Sequence, residues 1–567
     1  MLAELIRLTA LDEGSPQAFK ARAYENAMAG IEAHPGDIEG LGKAELTKIK
    51  GVGGSTADKI IELGETGKVS KLEALREKYP PRFVELTKIP GLGPKTLRML
   101  RAELGVEDID SLKEAIDAQR LRALPGLGEK SEEKIARAID RLGLHGKDRR
   151  TPLVEVWGLA QALVGRLASV KGVTAAVPTG SIRRFSDTVG DVDIVVATLE
   201  PERVHAAVRE LPEAAEMMGS GGTKTSFLTR EGLQVDVRTM APDQLGSALL
   251  YFTGSKAHNI QLRQLALERG WLLSEYGLFE EDRVIASETE DDIYRALDLD
   301  HIPPPLREGG GEVEAAGSHS LPELITREDI RGDLHYHSDR SGDGRSTLEE
   351  MVEAAIGAGY EYVAFTDHGE DLAINGSTRD EMMAHRERIR ALDERYDEID
   401  LLFGCELNIG PDGGLDYDPG FRLEFDYCVA SIHSHFDLPE EEQTARILTA
   451  LQDPAVSAIG HLSGRYVGRR PGVDLDVAVI LEALAVTGVA LEINGALDRL
   501  DATAEVARRA MAEGVEVVID TDSHHVGDLV RMSYGVLYAQ RGWVTTDSVL
   551  NAGPVAKVRE WVAARRG

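Results

Sequence analysis

Asp191 and Asp193 stand two residues apart in Gly190-Asp191-Val192-Asp193-Ile194-Val195-Val196, and Asp236 interrupts a second apolar run, Val235-Asp236-Val237. Residues two apart on a strand point to one face, so the pair presents both carboxylates together. Three carboxylates in an apolar setting repel one another unless divalent cations neutralise them, and Mg²⁺ or Mn²⁺ suits such hard oxygen ligands. Two ions held there can activate an attacking hydroxyl and stabilise a leaving pyrophosphate in an in-line displacement. Upstream, Gly180-Ser181-Ile182-Arg183-Arg184 supplies a Gly-Ser turn followed by two cationic side chains.

A second constellation lies in the last part of the chain. His335 and His337 sit in one strand-like run, and Asp343 follows in a Gly-rich loop. His368, Glu406, His433, His461, Asp522 and His524 then recur at the carboxyl ends of successive predicted strands. That is the end at which barrel active sites are assembled. Six histidines and three carboxylates are enough for up to three ions, with Glu406 bridging two. Cys405, beside Glu406, reads as core packing.

The elements that must carry these groups follow from periodicity. Gly332–His337, Tyr362–His368, Leu401–Leu407, Tyr427–His433, Ala458–His461, Val489–Asn494 and Val515–Asp522 are apolar runs separated by helix-length stretches, which predicts a parallel barrel of seven strand-to-helix steps. From about 170 to 240 strand-like runs predict an α/β module, and before 150 the pattern is helical. Pro303, Pro304 and Pro305 followed by Gly309, Gly310 and Gly311 mark a linker over 303–325.

The helical part holds a repeat: Ile49-Lys50-Gly51-Val52-Gly53, Ile89-Pro90-Gly91-Leu92-Gly93 and Leu124-Pro125-Gly126-Leu127-Gly128, each followed at the same spacing by an apolar anchor, Ile60, Leu100 or Ile135. This resembles the helix-hairpin-helix, whose glycines allow a tight turn that leaves backbone N–H groups free for a nucleic-acid phosphate. Glu129, Glu132 and Glu133 surround the third turn, which suits a structural copy.

Together with Tyr251-Phe252-Thr253-Gly254-Ser255, the aspartates and the Gly-Ser turn strongly resemble family X DNA polymerases, whose palm is a nucleotidyltransferase fold. The resemblance implies that Ser181 and Arg183, with Gly180, hold the triphosphate, and that Tyr251, Phe252 and Gly254 crowd the sugar. Asn259 would contact the incoming base and Arg263 the template, while Asp191 and Asp193 bridge both metals and Asp236 activates the primer hydroxyl. Lys59 and Tyr24 match the family's lyase positions. Ser55 replaces the helper lysine, so Lys59 reads rather as a phosphate contact.

The histidine motifs resemble the PHP (polymerase and histidinol phosphatase) domain, a trinuclear phosphoesterase on a distorted (β/α)7 barrel. That implies Zn²⁺ or Mn²⁺ in the mixed imidazole and carboxylate site, with Arg465 and Arg469 able to clamp the scissile phosphate. The implied organisation is a multidomain chain. It has helix-hairpin-helix modules at 1–87 and 88–148, an α/β nucleotidyltransferase palm at 149–244, a small α+β thumb at 245–302, the linker, and the PHP barrel at 326–567.

Length and charge agree with this division. The 567 residues carry a formal charge of −33. It is spread as +1 over 1–150, −9 over 151–300 and −25 over 301–567, where Lys557 is the only lysine. A uniformly basic nucleic-acid coat is excluded. Two cysteines, no long apolar run and a charged first segment predict a cytoplasmic protein without membrane association. The expected partners are gapped or nicked DNA and dNTPs, acted on by a monomer. The expected activities are gap filling in repair, 3′–5′ exonuclease and abasic-site cleavage. The rivals are a DNA-tethered phosphoesterase with an inactive palm and a non-catalytic scaffold.

Overall fold

Apolar residues at three-to-four spacing make the described residues before 150 helical, and Gly42, Gly53 and Gly93 mark the starts of three of the helices. A computed structural model describes residues 1–14, 19–32, 34, 38, 40–89, 92–141, 150–372 and 374–567. One unit comprises Met1–Arg150 with Pro212–Met218 and Phe227–Gln234; the other comprises Thr151–Leu211, Gly219–Ser226 and Val235–Gly567. In the first, Leu5, Leu8 and Leu11 of helix Leu2–Glu13 share a core with Leu97, Leu100, Leu112, Leu121 and Ile135. The two hairpin modules expected at 1–87 and 88–148 therefore share a single core. A smaller core of Ala27, Leu46, Ile49, Val52 and Ala57 supports the first hairpin.

In the second unit, strand Val192–Thr198 pairs antiparallel with Val173–Pro178 and parallel with Gln234–Met240. Helix Leu153–Ala168 contributes Val156, Ala160, Leu163 and Leu167 to the core of this module. Helices Leu245–Thr253 and Lys256–Glu268 then lead to a three-stranded antiparallel sheet, Leu272–Ser274, Gly277–Glu280 and Arg283–Ala286.

The stretch expected as a linker is instead packed. Pro304–Leu306 forms a 3₁₀ turn and Glu312–Gly317 a helix, and Leu306, Val313 and Ala316 join Leu250, Leu262 and Tyr294 in one core that Trp543 also packs against. Three prolines preset the backbone angle of a turn, and the apolar residues around them bury it. Arg307, fully buried, donates to Glu290 Oε1 at 2.5 Å, while Arg183 donates to both Glu290 oxygens at 2.9 and 2.6 Å. Burial would raise the Glu290 carboxyl, and the two guanidiniums override it, holding it at about 2.

Seven parallel strands follow in sequence order, from Gly332–Tyr336 to Val517–Asp520. The first and last meet through Asp522 N donating to His335 O at 3.0 Å and His337 N donating to Ser523 O at 2.9 Å, which closes the barrel. Helix Val555–Arg566 packs Val558 and Val562 into a core with Leu334, Tyr362, Leu402, Tyr427 and Val518. Among the described residues no helix is long and apolar enough to cross a membrane.

Arg307→Ala removes one of the two cations that hold Glu290 in a buried site. It is expected to cost about 3–5 kcal/mol, read as a fall in the urea midpoint by tryptophan fluorescence, with Arg307→Lys between it and the unmodified chain.

Candidate active sites

The palm carboxylates are gathered by strand register. Asp193 and Asp236 are direct partners on adjacent parallel strands, and Asp236 is 4% exposed. Lys224 Nζ lies 2.6 Å from Asp236 Oδ2 and supplies part of the countercharge. Burial first, then the neighbouring Asp191 and Asp236, push the Asp193 carboxyl up to about 7. A carboxyl this hard to ionise fits a divalent cation at the cluster, held by Asp191, Asp193 and Asp236. Gly180, at φ 62°, abuts the same carboxylate: a side chain there would put its Cβ 3.0 Å from Asp193 Oδ2. The Gly180–Arg183 turn, which includes Ser181, therefore begins against the Asp193 carboxylate.

Arg183 does not have the expected place. Its guanidinium is committed to Glu290 and to Thr253 Oγ1 at 2.8 Å, because a buried carboxylate 107 residues further along the chain has to be paired. Arg184 donates instead to the Thr253 carbonyl. Tyr251, Asn259 and Arg263 line one small cleft, with Asn259 Nδ2 donating to Tyr251 O at 2.7 Å and the Arg263 guanidinium 4.9 Å from the centre of the Tyr251 ring. Phe252 stands edge-on to Tyr251 at 5.0 Å and beneath Arg238 at 4.4 Å, and Gly254 has φ 65°.

In the hairpins, Gly53 precedes helix Gly54–Thr66 and Gly93 precedes Pro94–Leu104. Gly51 has φ 86°, and a Cβ there would come 2.2 Å from Asn26 O, so both the angle and the space demand glycine. Gly91 lies outside the described residues. In the third copy, Gly126 has φ 84°, Gly128 O accepts from Ser131 N and Glu132 N, and buried Glu132 holds Arg122, which supports a structural turn. Lys59 Nζ donates to Ser55 Oγ at 2.9 Å and lies 5.7 Å from the Tyr24 ring centre.

In the barrel all nine expected ligands converge. Glu406 Oε2 lies 3.4, 3.6 and 2.9 Å from His335, His337 and His368, and Oε1 lies 3.1 and 3.3 Å from His433 and His461. Asp522 stands within 3.4–3.6 Å of His335, His337, His461 and His524. Asp343 faces His368 and His524 at 3.6 and 3.4 Å, and is held by Asn375. His335 Nε2, His337 Nε2, His368 Nδ1, both Glu406 oxygens and Asp522 Oδ1 are buried without a hydrogen-bond partner. Such groups are costly to leave uncompensated, so the donor set fits divalent cations. Burial alone would raise the Glu406 carboxyl, yet the surrounding imidazoles hold it well below the usual range. His461 and Asp522 have φ 46° and 51°, the left-handed region uncommon for such residues and frequent at active sites.

Sequence reasoning missed the residues behind the ligands. Glu492 accepts from His335 Nδ1 through one oxygen and from His461 N at 3.0 Å through the other; Asp501 lies 3.3 Å from His461 Nδ1, and Ser341 Oγ lies 3.0 Å from His337 Nδ1. These contacts fix ring orientation. The available signal was a single Glu inside the apolar run Val489–Ile493, on the inward phase of the strand. Arg465, expected at the scissile phosphate, lies elsewhere. It is turned away from the cavity, pairing with Asp187 at 2.7 Å and bonding Tyr538 Oη and the Arg499 carbonyl. The cavity of about 440 Å³ over the ligands is lined by Arg345, Arg470, Arg499 and Arg531, and Arg469 is not among its lining residues. Phe436 and Tyr466 stack on Arg470 at 3.7 and 4.7 Å, and Tyr466 also faces Arg499 at 4.3 Å.

Comparison with known proteins bears on the whole assembly. The family model for the DNA polymerase beta thumb matches residues 248–308, that for the PHP domain 333–496, and two helix-hairpin-helix models 1–69 and 83–141. The DNA polymerase/3'-5' exonuclease PolX of Bacillus subtilis is 38% identical over 549 residues, covering 96% of this chain and 95% of its own length. The chain belongs to the PolX-type family X DNA polymerases. Proteins named Probable phosphatase in Thermoanaerobacter sp. and Acetivibrio thermocellus are 27% and 30% identical over 41% and 34% of this chain, and 95% and 78% of their own lengths.

Within this PolX framework two outcomes follow. Below pH 7 a cation must displace a proton from Asp193, so half-saturating Mg²⁺ for primer extension should fall by about tenfold between pH 6 and pH 8, about fivefold of it below pH 7, and flatten above pH 8; a constant value would mean that the carboxyl is already ionised. Glu492→Gln leaves all nine barrel ligands in place but weakens the orientation of His335 and His461. Metal affinity should drop about 10–100-fold, measured by competition with a chelator.

Proposed function

We propose that the chain fills short gaps in DNA during repair and trims DNA ends with a separate metal centre, as a monomeric cytoplasmic enzyme. The observation that carries this reading is the coexistence in one compact unit of three palm carboxylates beside a Gly-Ser turn and nine converging barrel ligands. The Bacillus subtilis relative, named for both polymerase and 3'-5' exonuclease, supports it.

In the palm, Asp191, Asp193 and Asp236 would hold Mg²⁺ or Mn²⁺, which supply charge neutralisation and activation of the primer 3′-hydroxyl. Asp236 accepts the hydroxyl proton, the Gly180–Arg184 turn receives the triphosphate of a dNTP, and the Tyr251–Gly254 turn crowds the sugar. Asn259 meets the base edge and Arg263 the template. The first two hairpins hold gapped or nicked DNA through Gly51, Gly53, Gly91 and Gly93, with Lys59 as a phosphate contact. In the barrel, His335, His337, Asp343, His368, Glu406, His433, His461, Asp522 and His524 would hold Zn²⁺ or Mn²⁺, which would supply activation of water and neutralisation of developing charge. Arg470 and Arg499, made rigid by Tyr466, grip the scissile phosphate, and abasic sites are a further substrate.

A labelled one-nucleotide-gapped duplex, incubated with and without dNTPs and Mn²⁺, tests both halves. Asp193→Ala is expected to reduce extension by at least a thousandfold while leaving metal-dependent strand shortening within twofold. Loss of both activities from that single change would sink the two-site assignment.

A further inference from the structure

The barrel and the palm are joined by a helix that touches both sites. Arg531–Arg541 begins at the metal cavity, where Arg531 Nη1 donates to Asp522 O at 2.8 Å. Midway, Tyr534 stands edge-on to Trp157 at 5.5 Å and 6.1 Å from Phe185, both on the palm side. At its far end Arg541 Nη1 donates to the Arg184 carbonyl at 2.6 Å and to Glu308 Oε1 at 2.8 Å. The same Glu308 oxygen accepts from Arg184 Nε at 3.0 Å, and Arg184 Nη1 donates to the Thr253 carbonyl. Arg184 and Arg541 are 13% and 14% exposed, and they meet on Glu308, which is 37% exposed.

We propose that Arg541, contributed by the nuclease barrel, is a positioning residue of the polymerase site. The inference rests on the polymerase reading above. Arg184 closes the turn that begins at Gly180 against Asp193, and Thr253 immediately precedes Gly254. The chain Arg541, Glu308, Arg184, Thr253 thus fixes the distance between the turn that receives the triphosphate and the turn that faces the sugar. One planar guanidinium reaches a backbone carbonyl and a carboxylate together, which a single ammonium does less well. Preset spacing of two binding turns lowers the reorganisation needed to seat a nucleotide, so its loss falls on KM before kcat. The nuclease domain on this account completes the polymerase site while doing its own chemistry elsewhere.

The test uses the full chain on a one-nucleotide gap with Arg541→Ala, Arg541→Lys, Glu308→Gln and the Arg541→Ala/Glu308→Gln double variant. Arg541→Ala should raise KM for the correct dNTP about tenfold with kcat changed less than threefold. Strand shortening by the barrel should stay within twofold. Arg541→Lys should recover part of the loss, and the double variant should be no worse than Arg541→Ala, since both act on one contact chain. Unchanged KM in both Arg541 variants would overturn the proposal. So would a parallel loss of extension and strand shortening with a lowered melting temperature, which marks a merely structural contact; if Arg541→Ala does not fold, the Lys and Gln variants decide by the same measures. Absence of extension by the unmodified chain is a different failure, because it removes the polymerase reading itself before any variant is compared.

Discussion

Holding together groups that repel or lack partners is the constraint on which both sites depend. Asp193 and Asp236 are forced side by side by the register of parallel strands, and the barrel collects buried imidazole and carboxylate atoms with no hydrogen-bond partner. Neither arrangement is favourable by itself. Each is maintained by the surrounding frame: strand pairing and the Lys224 ammonium in the palm, barrel closure and the Glu492 and Asp501 contacts in the other domain. Divalent cations would convert the cost of each cluster into binding energy.

The charge of the last domain is subject to the same constraint. A stretch carrying −25 is a poor place for a phosphodiester if charge is only summed. Four of its arginines nonetheless meet at one place. Arg345, Arg470, Arg499 and Arg531 line the cavity over the converging imidazoles and carboxylates, and Phe436 and Tyr466 stack on Arg470 while Tyr466 also faces Arg499. Asp343, Glu406, Asp498, Asp522 and Asp528 line the same cavity, so the guanidiniums offset these carboxylates and bound cations would have to supply the remaining positive charge for a phosphodiester.

Much of this was legible because strands repeat every two residues and barrel chemistry gathers at carboxyl ends. The Asp191/Asp193 spacing and the histidine positions needed only that periodicity to be read. Arg183 and Arg465 were not readable in the same way. Their types suit phosphate, but Glu290 and Asp187, far away in sequence, claim them. A guanidinium's partner is a property of packing, which no local pattern records. The Pro-rich and Gly-rich stretch at 303–325 misled for the converse reason, since its punctuation is that of a loop while Leu306, Val313 and Ala316 bury it. The left-handed backbone at His461 and Asp522 likewise leaves no trace in residue type.

Closure of the barrel between its first and last strands has a consequence for synthesis of the protein. Thr521 N bonds Asp333 Oδ1 across 188 residues of chain, and His335 meets Asp522 over a similar span. Until the seventh strand leaves the ribosome, the first has an open edge, and a parallel edge is a template for unwanted pairing. Such non-local contacts also form slowly. The palm can gather its carboxylates from residues made by about 240, whereas the cluster of imidazoles and carboxylates in the barrel waits almost for the end of translation. Helix Arg531–Arg541 emerges later still, so the two halves of the enzyme mature together at the last step of the chain's production.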